Sequence, residues 1–267
     1  MFRKRTLILM FLLLLAALCG CSEEQKEPLP QLVIGYDEYR PYSYTDEDGA
    51  PAGIDIDLAK EACRRMGYEP VFSNINWHDR DLVLEAGKVD CLWSCYPITG
   101  REEQYAWVGP YMYSRQVVAV LQDNSSIRML NDLEGRSIAV RSAGTAESIF
   151  LEQADSRIPE VGRIYCMTEM ENVVAALRDG YVDACAGFTA TLTELLQNSG
   201  VGYRFLDENL INADLGVAFR HESDPQLRTA LESVLNSMHQ DGTTARILRS
   251  YGLNSTDALG GINIAKE

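Results

Sequence analysis

An arginine and a glycine-led turn are the residues best suited to chemistry in this chain. Arg101 follows the end of a predicted strand, and its planar guanidinium offers paired N–H donors that match a carboxylate. Gly144-Thr145-Ala146 opens a predicted helix, where free backbone N–H groups and the helix dipole attract anions. Together they favour the capture of a carboxylate from two sides. Taken singly, a surface arginine and an ordinary helix-capping turn are the alternatives.

Composition narrows the partners and gives no sign of a metal. The formal net charge is −15, which argues against nucleic acid or an anionic lipid surface as a partner. No cysteine or histidine spacing is typical of a zinc site, and the histidines lie apart along the chain without clustered partners. We therefore expect no metal and no cofactor. The three histidines are His78, His221 and His239.

The cysteines beyond the first 21 residues limit which disulfides can form. There are five of them, so at least one is unpaired. Cys91 and Cys95 on one strand would lie about 13 Å apart, too far for a disulfide. Pairing of Cys166 with Cys185 is the one disulfide left open.

The N-terminus carries the marks of export and lipid attachment. Three basic residues at 3–5 precede an apolar run at 7–18 that is too short to span a bilayer as a helix and is typical of a secretory signal. Residues 18–21 (LCGC) resemble a bacterial lipobox, so Cys21 is the expected lipid attachment site. The polar, proline-containing segment 22–30 is a predicted tether. A plain secreted protein with a cysteine at this position is the alternative.

A Gly-x-Val-Asp turn occurs twice, and it indicates the architecture. The copies at Gly87–Asp90 and Gly180–Asp183 each follow a helical pattern. Each runs into a strand of small residues, Cys91–Cys95 and Ala184–Gly187. Repeated β-α-β units of this kind predict mostly parallel sheets. Two similar α/β lobes would face each other across a cleft suited to a small molecule.

Two further strands are expected to connect the lobes. Val117–Leu121 is predicted to cross away from the first lobe, and Leu215–Phe219 to cross back. The predicted division is a signal peptide at 1–20, a lipid-anchored tether at 21–30, lobe 1 at 31–114 plus 216–254, lobe 2 at 115–215, and a C-terminal tail at 255–267.

Several short motifs, in this order and spacing, resemble the family 3 extracellular solute-binding proteins, the amino-acid receptors of ABC importers, over Gln31 to Leu253. The matching stretches are GYD at 35–37 through PY at 41–42, GIDIDLA at 53–59, GKVD at 87–90, ITGR at 98–101, GPY at 109–111, AGT at 143–145, GYVD at 180–183 and DGT at 241–243. The resemblance implies an α/β, two-lobed periplasmic-binding-protein fold of type II. Each lobe would be a mostly parallel sheet flanked by helices, joined by two hinge strands near 114–117 and 213–217 that let the lobes close.

The resemblance also implies roles for individual residues. Arg101 stands where the family places its carboxylate-binding arginine, and Tyr39 or Tyr42 where it places an aromatic that stacks on the ligand. Ile54 corresponds to an apolar wall position, with plain core as the alternative. Asp37 would face a polar or cationic end of the ligand, or else cap backbone groups.

Two departures from the family pattern bear on the ligand. Phe188 stands where the family usually has an acid that takes the ligand's α-ammonium, and Pro97 replaces a frequent hydroxyl residue. A buried ammonium without a partner is costly. Either Glu147 or Asp37 takes that charge, or the ligand is not a standard α-amino acid. Cys95 and Phe188 themselves are also candidate ligand contacts.

The resulting hypothesis is a lipid-anchored, monomeric, extracytoplasmic receptor. It would bind an amino acid or related small carboxylate and deliver it to the membrane subunits of an ABC importer, without catalysis. One alternative is a sensor or degenerate receptor of the same fold. The other is a periplasmic dehydratase-like enzyme, which needs a general acid in the cleft, and only Glu147 and Asp37 are candidates.

Overall fold

The computed structural model describes residues 28–153 and 155–260. The predicted signal peptide, Cys21, most of the tether and the last seven residues lie outside them. The strands are β1 (Gln31–Tyr36), β2 (Tyr44–Thr45), β3 (Pro51–Ala52), β4 (Glu69–Asn74), β5 (Cys91–Pro97), β6 (Ala106–Leu121), β7 (Ser137–Arg141), β8 (Arg163–Met167), β9 (Ala184–Phe188), β10 (Tyr203–Phe205) and β11 (Ile211–Phe219). The α-helices are α1 (Ile54–Met66), α2 (Arg80–Glu85), α3 (Thr145–Glu152), α4 (Met170–Arg178), α5 (Thr189–Gln197), α6 (Pro225–Gln240), α7 (Thr243–Ser250) and α8 (Ser255–Leu259).

Two parallel groups of strands are joined by a long antiparallel pair. In the first lobe, β1 pairs in parallel with β4 and β5, and in the second lobe β7 pairs in parallel with β8 and β9. Strands β6 and β11 pair with each other and run between the groups, in the order β4-β1-β5-β11-β6-β9-β7-β8. The predicted α/β, two-lobed fold with two connecting strands is therefore confirmed.

The repeated Val-Asp turns have the same structural task in both lobes. Asp90 donates its backbone N–H to the carbonyl of Val33, and its Oδ2 accepts the Val33 N–H at 2.7 Å. Asp183 forms the same reciprocal pair with Ser137, with Oδ2 accepting the backbone N–H at 2.8 Å and the hydroxyl at 2.7 Å. Each aspartate thus joins the start of one parallel strand to its neighbour.

Helix α1 shows how an apolar stripe positions the first lobe. Its buried face includes Leu58 and Cys63, both completely inaccessible to solvent, while charged residues occupy the outer face. The helix ends at Gly67 in the left-handed conformation, with φ 76°, which glycine adopts without a steric penalty. Arg65 then forms a 2.6 Å ion pair with Asp241 at the end of α6.

The connecting strand β6 is longer than the sequence indicates. It begins at Ala106 rather than Val117, because the polar run Ser114-Arg115-Gln116 interrupts the apolar pattern without interrupting the backbone pairing. Through this run, β6 keeps its hydrogen-bonding register with residues 211–213 of β11.

Helix α5 and strand β10 are among the elements that were not predicted, and the C-terminus also differs from the prediction. Helix α5 is rich in β-branched threonine and follows β9 with no intervening turn residue, so local propensity does not mark it. Strand β10 is only three residues long. Residues 255–259 form helix α8 with Ala258 buried, so this part of the predicted tail is packed on the body.

The five described cysteines are free thiols. The prediction that Cys91 and Cys95 do not pair is confirmed, whereas the pairing left open between Cys166 and Cys185 does not occur. Cys166 is in register with position 140 of β7 and Cys185 with position 139. Since successive residues of a strand point to opposite faces, the two thiols lie on opposite sides of the sheet. No helix within residues 28–153 and 155–260 has both the length and the apolar character needed to span a membrane.

Candidate ligand-binding cleft

The carboxyl ends of parallel strands from both lobes meet at one cavity. Asp37 follows β1, Pro97 ends β5, Arg141 ends β7 and Phe188 ends β9. Ligands of open α/β sheets bind at such carboxyl ends. The cavity between them has a volume of about 470 Å³, including its open mouth.

The cavity brings together most of the candidate residues. Seven of them line it: Tyr39, Cys95, Arg101, Gly144, Thr145, Ala146 and Phe188. Three others do not. Ile54 is completely buried in the core, Glu147 accepts a 2.6 Å hydrogen bond from the Ala143 N–H, and Asp37 lies behind the lining in an ion pair.

Arg101 is placed by its backbone and leaves its side-chain donors available. Its N–H donates to the Ile98 carbonyl at 2.7 Å, and its carbonyl accepts the Trp107 indole N–H at 2.9 Å. The guanidinium carbon lies 5.4 Å from the centroid of the Tyr96 ring, within cation–π range. No carboxylate in the described part of the chain forms an ion pair with Arg101. The guanidinium can therefore accept a carboxylate from a ligand.

The start of α3 lines the same cavity from the second lobe. Gly144 occupies the N-cap position in extended geometry, and no side chain caps the helix. The first-turn N–H groups of an α-helix have no partner within the helix. Thr145 and Ala146 are buried at this end, so their amides face a site with little competing water. The arrangement suits an anionic group.

An ion pair between the lobes was not anticipated. Arg141 Nη2 donates to Asp37 Oδ2, and the two side chains are only 13% and 5% exposed. Arg141 Nε donates to the Thr168 carbonyl at 3.1 Å, and Asp37 Oδ1 accepts the Ser94 hydroxyl at 2.8 Å. Burial lowers the pKa of Arg141, but the charge and hydrogen bond of Asp37 more than offset it, so the pKa is raised and the cation is stabilised.

Aromatic rings close the cleft beside that pair. The Phe188 ring meets the Tyr39 and Tyr42 rings edge-on, with centroids 6.1 and 6.0 Å away. The Arg141 guanidinium carbon lies 4.9 Å from the Tyr39 centroid. Burial raises the pKa of the Tyr39 hydroxyl well above its ordinary value, so Tyr39 is neutral at physiological pH. Phe188 thus packs against the first lobe as an apolar wall.

Gln116 is a buried amide with an unused acceptor. It lies on β6 where the strands connect the lobes, is 3% exposed and lines the cavity. Its Oε1 has no hydrogen-bond partner among the described residues. Leaving a buried polar group unpaired costs about 1–3 kcal/mol, so this amide is an unsatisfied group available to a ligand.

Asp55 supports the cleft floor from behind. Its Oδ2 accepts the Cys95 N–H at 2.6 Å, and its Oδ1 accepts the Tyr111 hydroxyl at 2.8 Å. Burial raises the pKa of Asp55 to about 7, against the lowering effect of these two hydrogen bonds. Cys95, with φ 48°, is held in the left-handed region at this point.

Sequence reasoning missed several lining residues. Arg141 carries a usable signal, since it is a charged residue at the carboxyl end of a strand and directly precedes the glycine-led turn. Gln116 carries none, because a polar residue in a connecting strand is equally consistent with a solvent-exposed position. Trp77 packs edge-on against Tyr96 and also lines the cavity. The other lining residues are Ser94, Tyr96, Pro97, Ala143, Met170, Ala186 and Gly187.

Comparison with known proteins agrees with this geometry. The sequence profile of the bacterial extracellular solute-binding proteins, family 3, matches residues 32–254. The histidine-binding periplasmic protein of Escherichia coli strain K12 is 29% identical over 233 residues, covering 84% of this chain and 88% of that protein.

Two solved structures share the fold. An ancestral arginine-binding protein bound to arginine superposes with a TM-score of 0.74 at 27% identity, covering 83% of this chain and 97% of that one. The ancestral amino acid-binding protein AncCDT-1, a precursor of cyclohexadienyl dehydratase, gives a TM-score of 0.73 at 26% identity, covering 83% and 95%.

The two connected lobes and the cavity at their strand ends define a periplasmic-binding-protein fold of type II. Within that class, the chain belongs to the bacterial extracellular solute-binding proteins, family 3.

Proposed function

We propose that this protein is a lipid-anchored receptor that captures an amino acid or related small carboxylate in the cleft and delivers it to an ABC importer. The observation that carries the proposal is the pairing of Arg101, which has no acidic partner among the described residues, with the uncapped start of α3 in one cavity. A guanidinium and helix N–H groups are complementary to a carboxylate. The names of the histidine- and arginine-binding relatives support the same ligand class.

Binding without turnover is the expected activity. A dehydratase-like reaction needs a positioned general acid. None of the described residues that line the cavity is Asp or Glu, and the two candidate acids are engaged by Arg141 and by the Ala143 N–H. We therefore favour a receptor over an enzyme, although one structural relative is named as the precursor of a dehydratase.

The binding test is a thermal-shift and calorimetry screen of the full chain against the amino acids, their amides and small organic carboxylates. A ligand that binds the folded state raises the melting temperature by mass action. Arg101→Ala should weaken binding by about 30-fold or more, since it removes a charge-assisted bidentate contact. Arg163→Ala, on the exposed strand β8, is the matched control. Equal binding by wild type and Arg101→Ala would contradict the proposal, and a ligand consumed during the assay would favour the enzyme.

Lipid attachment at Cys21 is a separate part of the proposal and rests on the lipobox sequence. The full chain expressed in a bacterial host should fractionate with membranes and show an added acyl mass on its N-terminal peptide. Cys21→Ala should abolish the acyl mass, whereas Cys19→Ala should retain it. A wild-type N-terminal peptide without acyl mass would contradict the anchor and leave the ligand proposal intact.

A further inference from the structure

Two guanidinium groups line the cleft, and their surroundings differ. Arg101 has no acidic partner among the described residues, whereas Arg141 is held by Asp37 from the opposite lobe. The first is available to a ligand carboxylate. The Arg141 guanidinium already contacts an acid and an aromatic face, which lie side by side.

The acid and the aromatic face beside Arg141 form a cation site. A buried carboxylate next to the face of a tyrosine is the combination that recognises a cationic group. Here the carboxylate is Asp37, whose Oδ1 accepts the Ser94 hydroxyl at 2.8 Å and whose Oδ2 accepts from Arg141. The tyrosine is Tyr39, whose ring centroid lies 4.9 Å from the Arg141 guanidinium carbon. The protein therefore fills this cation site with its own side chain.

The pair is built into both lobes. Arg141 ends β7 and is oriented by its 3.1 Å hydrogen bond to the Thr168 carbonyl. Asp37 follows β1, and its backbone N–H also donates a hydrogen bond to Ser94 Oγ at 3.3 Å. Both side chains are nearly buried.

Among the described residues that line the cleft, no other acid replaces Asp37. Phe188 occupies the end of β9, and none of the described lining residues is acidic. Gln116 offers a neutral amide whose acceptor is unpaired among the described residues. A ligand with a cationic side chain would therefore place a third positive charge near two guanidiniums, of which only Arg141 is paired with a carboxylate.

We propose that Arg141 determines ligand specificity by occupying the site that a cationic side chain would use, so that the cleft accepts carboxylates with uncharged or acidic side chains and rejects cationic amino acids. This inference rests on the proposed function, because it assumes that Arg101 binds the ligand carboxylate. It also predicts a specificity different from that of the relative whose title specifies arginine.

The test compares ligands of matched shape that differ in charge. L-Arginine is paired with L-citrulline, L-lysine with L-norleucine, and L-glutamate with L-glutamine; succinate and the remaining amino acids complete the panel. Calorimetry on the wild-type full chain should show that each cationic member binds at least tenfold more weakly than its uncharged partner, or does not bind while uncharged or acidic carboxylates do.

Variants then test whether Arg141 is responsible for the discrimination against cationic ligands. Arg141→Met frees Asp37, so the preference for L-citrulline over L-arginine and for L-norleucine over L-lysine should fall at least tenfold. Adding Asp37→Asn to that variant should remove the gain. Arg163→Met makes the same change of charge outside the cleft and should leave the ratios unchanged. If Arg141→Met does not fold, Asp37→Asn alone serves, since the unpaired Arg141 should then raise the preference for L-glutamate over L-glutamine at least fivefold.

The outcomes separate the two proposals. Tight arginine or lysine binding by wild type that Arg101→Ala abolishes would overturn the specificity inference and leave the receptor proposal standing. Ratios in Arg141→Met, or in Asp37→Asn where that variant is used, that stay within threefold of wild type would also overturn the inference. Absence of binding by every probe would overturn the receptor proposal, and the inference with it.

Discussion

The Tyr111 hydroxyl donates a 2.8 Å hydrogen bond to Asp55 Oδ1, and both side chains are completely buried beneath the cleft. Asp55 also accepts the N–H of Cys95, a cavity-lining residue in the left-handed conformation. The carboxyl group thus connects the first turn of α1 to the floor of the cleft, and its protonation state is linked to stability.

Asp55 should make stability depend on pH. Burial raises the pKa of Asp55 from 3.8 to about 7, so the folded state binds its proton more tightly than the unfolded state does. The resulting stabilisation is present below pH 4 and is lost as the pH rises to about 7. Asp55→Asn should remove this component, which is on the order of 2–4 kcal/mol. Urea unfolding at pH 4, 5.5 and 7.5 measures it, with the exposed Asp48→Asn as control. A difference between wild type and Asp55→Asn that does not change with pH would contradict the assignment.

The Val-Asp turns should be stability determinants independent of ligand binding. Asp183→Ala leaves the partly buried Ser137 N–H without its acceptor, so the free energy of unfolding should fall by about 1–3 kcal/mol. Asp179→Ala removes only an exposed ion pair with Arg178 and should leave the free energy of unfolding nearly unchanged. Denaturant unfolding of both variants provides the comparison. Equal losses would show that the reciprocal Asp183–Ser137 pair is not responsible.

Gln116 should separate ligand binding from folding. Gln116→Met removes a buried amide whose acceptor is unpaired among the described residues, so the ligand-free protein should keep or slightly increase its melting temperature. Binding of the ligand found in the screen should weaken about fivefold, which corresponds to roughly 1 kcal/mol. The exposed Gln122→Met is the control. A lower melting temperature together with an unchanged ligand affinity would indicate that Gln116 is purely structural.

Because of Phe188, the cleft should not prefer ligands that carry an α-amino group. Wild type has an apolar ring at this position, so an α-amino acid should bind no more tightly than its α-hydroxy analogue. Phe188→Asp should favour the amino compound by about tenfold or more, as a charge-assisted hydrogen bond becomes available. Phe188→Asn provides a neutral control of similar size to aspartate. Competition calorimetry with L-glutamate and 2-hydroxyglutarate is the measurement, and a strong amino preference in wild type would contradict this reading of Phe188.

Local pattern predicted the elements that have strong apolar periodicity or a marked turn. The two Gly-x-Val-Asp turns are visible because Gly87 and Gly180 adopt positive φ, at 66° and 71°, and the buried valine and paired aspartate follow at fixed offsets. Strand β6 was predicted too short and helix α5 was missed, because their sequences are polar or β-branched and tertiary pairing overrides those preferences.

The sequence by itself determined the α/β class, the repeated lobes and the two connecting strands, and it predicted a carboxylate-binding role for Arg101 and the Gly144 turn, since each depends on residue types at short spacing. Only the tertiary structure decided what Asp37 contacts, because its partner Arg141 lies 104 positions away along the chain and on the other lobe. The same holds for Gln116, whose unsatisfied amide is defined by the groups that surround it. Local pattern indicates which groups are available for binding, whereas only the folded packing of the two lobes determines which of them are already paired.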